Sequence, residues 1–193
     1  MANADKPAGL RPVRYRNGGV YNGACNRYYV PSGDSTAIYV GGLVKLLAAS
    51  ADADGVMSVT GNVSTGNPVL GVVVGVEAVT QASTPYREAS TARYVYVADE
   101  QDLLFAVQDD ASATPTAANV GNVADLTGFT SGSTTSGLSS IEISMTTATN
   151  SGDGTEDVAI LGVWNSPDNV IGNNTNWLVR LNNYQPLDGF TGI

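Results

Sequence analysis

The chain contains no histidine. That removes Ser-His-Asp and Cys-His nucleophile systems, imidazole metal sites and the commonest general base. Its one cysteine, Cys25, has no second thiol to pair with and no neighbouring pattern that would activate it. Gly71 to Gly75 encloses only valines and lacks a following Lys-Ser/Thr, so it does not read as a phosphate-binding loop. Carboxylates are the remaining chemical groups. Asp52, Asp54 and Gly55 open like a calcium loop, but no glutamate stands at the closing position. Asp153, Glu156 and Asp157 cluster around Gly154, and Asp109-Asp110 is a third acidic spot. Each reads more simply as a solvated turn, although a paired-carboxylate glycosidase would draw on the same residue type. The expectation is a non-enzymatic chain without metal or cofactor.

The elements that would position such groups are strands. At 42% hydrophobic residues the 193-residue chain can bury a core, while only 14% are charged, well below the ~25% usual for soluble proteins. Many Val, Thr and Gly with few Lys and Glu favour strands joined by turns. Apolar runs at Leu43–Leu47, Val56–Val59, Val69–Val76, Tyr94–Val97, Leu103–Val107 and Val158–Trp164 are separated by turn clusters. Ile141, Ile143 and Met145 alternate with polar residues, as do Trp177, Val179 and Leu181 with Arg180 and Asn182. Val69–Val76 is apolar throughout, so both of its faces should be covered. Short helices are expected only near Gln101 and within 117–126. The fold class is all-β, a sandwich- or barrel-like body.

Charge is unevenly placed. The net charge is −9, which argues against a nucleic-acid partner. Up to Arg27, however, the chain holds five of its nine bases (Lys6, Arg11, Arg14, Arg16 and Arg27) and one acid, Asp5. Pro7 and Pro12 favour extended backbone, and Asn17-Gly18 and Asn22-Gly23 are turn dipeptides. Residues 1–35 therefore read as an extended basic N-terminal arm, followed by a body at 36–193. On that arm Lys6, Arg11, Arg14 and Arg16 would pair with carboxylates, while Leu10, Val13 and Tyr15 would make apolar contact. Arg14 and Arg16 flank Tyr15, so in an extended chain they share a face. The N-terminus has no apolar stretch of the secretory kind, and no window approaches the ~18 apolar residues of a membrane span. The expectation is a soluble protein made in a reducing cytoplasm, with no membrane partner.

A weak internal repeat is visible. Val40–Leu46 resembles Val120–Leu126, Gly55-Val56 resembles Gly137-Leu138, Val69–Val72 resembles Ile160–Val163, and Tyr94–Val97 resembles Trp177–Arg180, at offsets of 80, 82, 91 and 83. If these matches are a duplication, the body contains two similar β-modules, at 36–112 and 116–193.

The opening Met1-Ala2-Asn3-Ala4-Asp5-Lys6-Pro7-Ala8-Gly9-Leu10-Arg11-Pro12-Val13, continuing to Tyr15 and Asn17-Gly18, resembles the start of small tailed-bacteriophage head proteins. So do Ile160–Val163 and the later Trp177-Leu178-Val179-Arg180-Leu181-Asn182-Asn183. The family is that of capsid decoration, or cement, proteins. The resemblance implies a β-rich homotrimer on the outer capsid surface of the virion, made in the bacterial host cytoplasm. It would sit at threefold or quasi-threefold positions and lay a terminal arm over the major capsid protein. Two other readings fit the same composition: a tail or baseplate component, and a carbohydrate-binding module stacking sugars on Trp164, Trp177 and tyrosines.

Overall fold

The computed structural model describes residues 3–185; residues 1–2 of the expected arm and 186–193 of the expected body lie outside the described residues. The strands are β1 (Arg11–Tyr15), β2 (Asn26–Val30), β3 (Leu43–Ala51), β4 (Met57–Thr60), β5 (Gly71–Val76), β6 (Arg93–Ala98), β7 (Leu103–Gln108), β8 (Val123–Ala124), β9 (Leu126–Thr127), β10 (Glu142–Ile143), β11 (Val158–Val163) and β12 (Asn176–Leu181). Among the described residues the helical content is one 3-10 turn at Ala117–Asn119. The protein is all-β.

The first unit is a closed barrel in the order β2-β4-β3-β5-β6. Its interior is filled by Tyr28, Val30, Val44, Leu46, Val59, Val73, Val95 and Val97. At one end Arg87 is completely buried and donates to three carbonyls, of Thr91 at 2.7 Å, Thr36 at 2.6 Å and Pro31 at 2.8 Å. Those bonds satisfy the guanidinium without a carboxylate and tie the loops flanking β2 and β6 together. The second unit is a sheet in the order β1-β7-β12-β11-β8, with β9 and β10 paired beside it.

The two units follow the same path. In the first, β2 pairs β6, β6 pairs β5, β5 pairs β3, β3 pairs β4, and a parallel contact of Tyr29 with Ser58 closes the ring. In the second, β7 pairs β12, β12 pairs β11, β11 pairs β8, β9 pairs β10, and a parallel bridge of Asp109 with Ile143 closes it. The details coincide as well. Gly41 N–H donates to Val73 O at 2.7 Å and Val73 N–H to Gly42 O at 2.8 Å; Gly121 and Ile160, then Ile160 and Asn122, repeat both bonds at 2.8 Å. Each ladder then slips by one residue at the same place, between Val73 and Gly75 and between Ile160 and Gly162. Such bulges bend the strand and strengthen its twist, which helps a five-strand sheet curl. The ladders align Val73 with Ile160, not Val69, and Val95 with Trp177, not Tyr94. The units span 26–98 and 103–181, so β2 belongs to the first unit and β7 to the second.

The core of the second unit runs on into the outer face of the first. Phe105, Val107, Ile141, Ile143, Ile160, Trp177 and Val179 pack with Leu43, Val63, Val69 and Val72. Strand β5 thus covers both faces, with Val73 inside the barrel and Val72 against the second unit. Asp157 joins the units by hydrogen bonds, accepting from Gly66 N–H at 2.9 Å and Leu126 N–H at 2.8 Å.

The N-terminal segment is not a free extended arm. β1 forms an antiparallel ladder with β7, and β2 is a wall of the barrel. Leu10 is 1% exposed and lies in the shared core. The reason is backbone pairing, because a strand at a sheet edge needs few apolar side chains of its own. Pro12 is tolerated there since an edge position does not require its missing N–H.

Candidate docking surface

Residues 3–21 are pinned to the body at several points. Asn3 Nδ2 donates to Val170 O at 2.8 Å and Asn173 O at 3.0 Å. Gln108 Nε2 donates to Ala4 O at 2.7 Å, and its Oε1 accepts from Lys6 N–H at 3.0 Å. Gly9 and Gly41 both have positive φ, and a Cβ on either would strike the backbone of the other segment. That close approach lets Leu10 N–H reach Gly41 O at 2.9 Å and seats its side chain in the core. The chain then reverses at Asn17-Gly18, with Gly18 at φ 91° and Tyr15 N–H donating to Gly19 O at 2.7 Å.

The register of β1 decides which way its side chains face. Arg11 stands opposite Ala106, Pro12 opposite Phe105, Arg14 opposite Leu104 and Tyr15 opposite Leu103. Val13 is the extra, bulged residue, so Arg11 and Arg14 share a face although they are three apart. Phe105 and Leu103 belong to the core, hence Pro12 and Tyr15 turn inward and the arginines outward. Arg16 follows Tyr15 and is exposed with Arg11 and Arg14. Arg11, Arg14 and Arg16 thus form one cationic row, and Lys6 is exposed before it.

None of these four bases makes an ion pair among the described residues; the one ion pair found there joins Arg27 to Glu77 at 2.8 Å. Arg11 Nη2 instead donates to Asn176 Oδ1 at 3.0 Å. On one side of Arg11 lies an apolar hollow of about 190 Å³ formed by Leu10, Pro12, Tyr21, Val74 and Leu138, the last 38% exposed. On the other lies a polar cleft of about 280 Å³ lined by Asn3, Lys6, Arg11, Gln108, Asn169 and Asn176, with Asp168 at its rim. The expected site residues therefore divide. Lys6, Arg11, Arg14 and Arg16 are exposed, Val13 and Tyr15 are half-buried, and Leu10 is core. The amides of the cleft carried no sequence signal, because Gln108 and Asn176 come from strands far from the N-terminus.

Asp153 and Glu156 serve their own loop, whereas Asp109 and Asp157, expected in solvated turns, are buried and bond distant segments. Asp52 accepts from the N–H groups of Asp54 and Val56 and from the Tyr94 hydroxyl, whose bond holds its carboxyl below the usual range. Glu156 accepts from Asp153 and Gly154 N–H, and Asp153 from Thr155. Asp109 is fully buried, and desolvation raises its pKa against the pull of four N–H donors. Glu142 is pushed up to about 7 by burial first, then by the neighbouring charges of Asp5, Asp110 and Asp109. No group of three or more metal-ligating side chains stands together among the described residues. Trp177 is completely buried and unavailable for stacking on a sugar.

Comparison with family models, with curated proteins and with solved structures returned no match.

Proposed function

We propose that this protein is a structural, non-enzymatic decoration protein that binds the outer surface of a tailed-phage capsid and stabilises it. In this reading its partners are the major capsid protein and further copies of itself in a homotrimer. The observation that carries the proposal is the row of Arg11, Arg14 and Arg16, with Lys6 before it. These bases stand exposed and without carboxylate partners among the described residues, in a chain that has 18 acids and nine bases. A chain so rich in acids could neutralise its own arginines, and leaving them free suits recognition of an acidic external surface. Forked guanidinium–carboxylate bonds would orient the contact, and the hollow at Leu138 would add apolar area. A rigid edge strand loses less entropy on docking than a free arm would. Repetition over a capsid lattice adds avidity.

The test is co-sedimentation of the protein with undecorated capsids of its phage. Arg14→Glu combined with Arg16→Glu should weaken binding by at least about tenfold, and added salt should weaken binding of the unaltered protein. Capsid binding by the double variant equal to that of the parent protein overturns the proposal.

A further inference from the structure

The duplicated fold exposes an asymmetry. The ladders equate Val95 with Trp177, which stand opposite Tyr28 and Val107 respectively. By that alignment Ala24, Cys25, Asn26 and Arg27 in the first unit correspond to Leu103, Leu104, Phe105 and Ala106 in the second. In the second unit β1 pairs with all four positions on one side, while β12 pairs with Phe105 and Ala106 on the other. In the first unit Asn26 and Arg27 pair with β6 on one side, and β4 meets β2 only further on, at Tyr29. No described strand occupies the slot equivalent to that of β1. The backbones of Gly23 and Cys25 make no hydrogen bond among the described residues, and 22–27 is exposed throughout.

We infer that this vacant edge, residues 23–27, accepts an extended strand from a partner protein, one that carries both basic and apolar side chains as β1 does. The fold itself supplies the precedent, since Arg11-Pro12-Val13-Arg14-Tyr15 fills the equivalent slot eighty residues along. Backbone ladder bonds would give the affinity, as in other strand additions to open sheet edges. Charge sets the preference for a basic strand. Asp99 accepts from Asn26 Nδ2 at 3.0 Å and from the Tyr28 hydroxyl at 2.6 Å, both neutral donors, so its charge beside β2 is not cancelled. This edge holds none of the bases of the arginine row, and its test requires no capsid.

The probe is a synthetic peptide with the sequence of residues 10–16, added to the intact protein, with amide hydrogen exchange as the readout. Saturating peptide should slow exchange at Gly23–Arg27 by about tenfold and leave Leu103–Ala106 unchanged. A peptide with its three arginines replaced by glutamate should give no protection, and Cys25→Pro should abolish protection while circular dichroism stays unchanged. Absence of protection in the unaltered protein overturns the inference. Protection confined to Leu103–Ala106 also overturns it, since the peptide would then be exchanging with β1. Equal protection by the glutamate peptide removes the basic preference. Protection that rises with protein concentration alone assigns the edge to a second copy of the chain instead.

Discussion

Trp177 donates its indole N–H to Asp109 Oδ2 at 3.0 Å, and both residues are completely buried. The same carboxylate accepts from the N–H groups of Ala111 at 3.1 Å, Asn174 at 3.0 Å and Thr175 at 2.9 Å. Asp109 also carries the parallel bridge to Ile143 that closes the second unit. A buried anion with four N–H donors costs desolvation, and its value lies in satisfying donors that have no other partner. Asp109→Ala leaves them orphaned and should destabilise the protein by about 3 kcal/mol or more. Urea unfolding followed by Trp fluorescence measures it, and a loss under about 1 kcal/mol would mean that water replaces the carboxylate.

The position of Leu10 separates a folding role from a docking role within one segment. Leu10→Ala should cost about 2–4 kcal/mol, because its side chain is enclosed by the shared core. Arg14→Ala on the exposed face should change stability by no more than about 0.5 kcal/mol. Removing residues through Arg16 would take both Leu10 and the whole of β1, so such a truncation reports on folding rather than on docking. Thermal unfolding of the three variants should rank the truncation lowest, Leu10→Ala next, and Arg14→Ala level with the parent.

Glu142 should give the protein a pH-dependent stability. Its folded pKa of about 7 lies above the ordinary 4.5, because burial and three nearby aspartates disfavour the charged form. Between those values the folded state binds more protons than the unfolded state, so this group's contribution is present below pH 4.5 and is lost as pH rises through 7. Glu142→Gln should therefore raise the melting temperature at pH 8 and leave it nearly unchanged at pH 4. A variant that melts lower than the parent at pH 8 would contradict this account. Partial solvent exposure keeps the effect modest.

Local sequence determined the class of structure. Runs such as Tyr94–Val97, Leu103–Val107 and Val158–Val163 became strands β6, β7 and β11, because continuous apolar segments bounded by turn residues pack best in a sheet. The doubly apolar Val69–Val76 foretold β5, whose two faces meet the barrel interior and the second unit. That the chain has no histidine and a single cysteine was likewise a matter of residue type alone. The repeat was visible as short matches, but its register was not. Val69–Val72 and Val73–Val76 both resemble Ile160–Val163, and only the shared hydrogen bonds and bulge choose the second.

Tertiary structure decided the fate of the first thirty residues. Arg11-Pro12-Val13-Arg14-Tyr15 has neither an apolar run nor clean alternation, yet it is a strand, because its partner Leu103–Ala106 lies some ninety positions away and supplies the ladder. Backbone donors and acceptors are the same at every residue, so pairing between distant segments leaves little trace in side-chain type. The bulge at Val13 is equally silent, yet it brings Arg11 into line with Arg14 and Arg16. Sequence placed five basic residues near one end of an acidic chain. Only the folded sheet determined which of them face solvent together, because facing depends on register, and register is set by the partner strand.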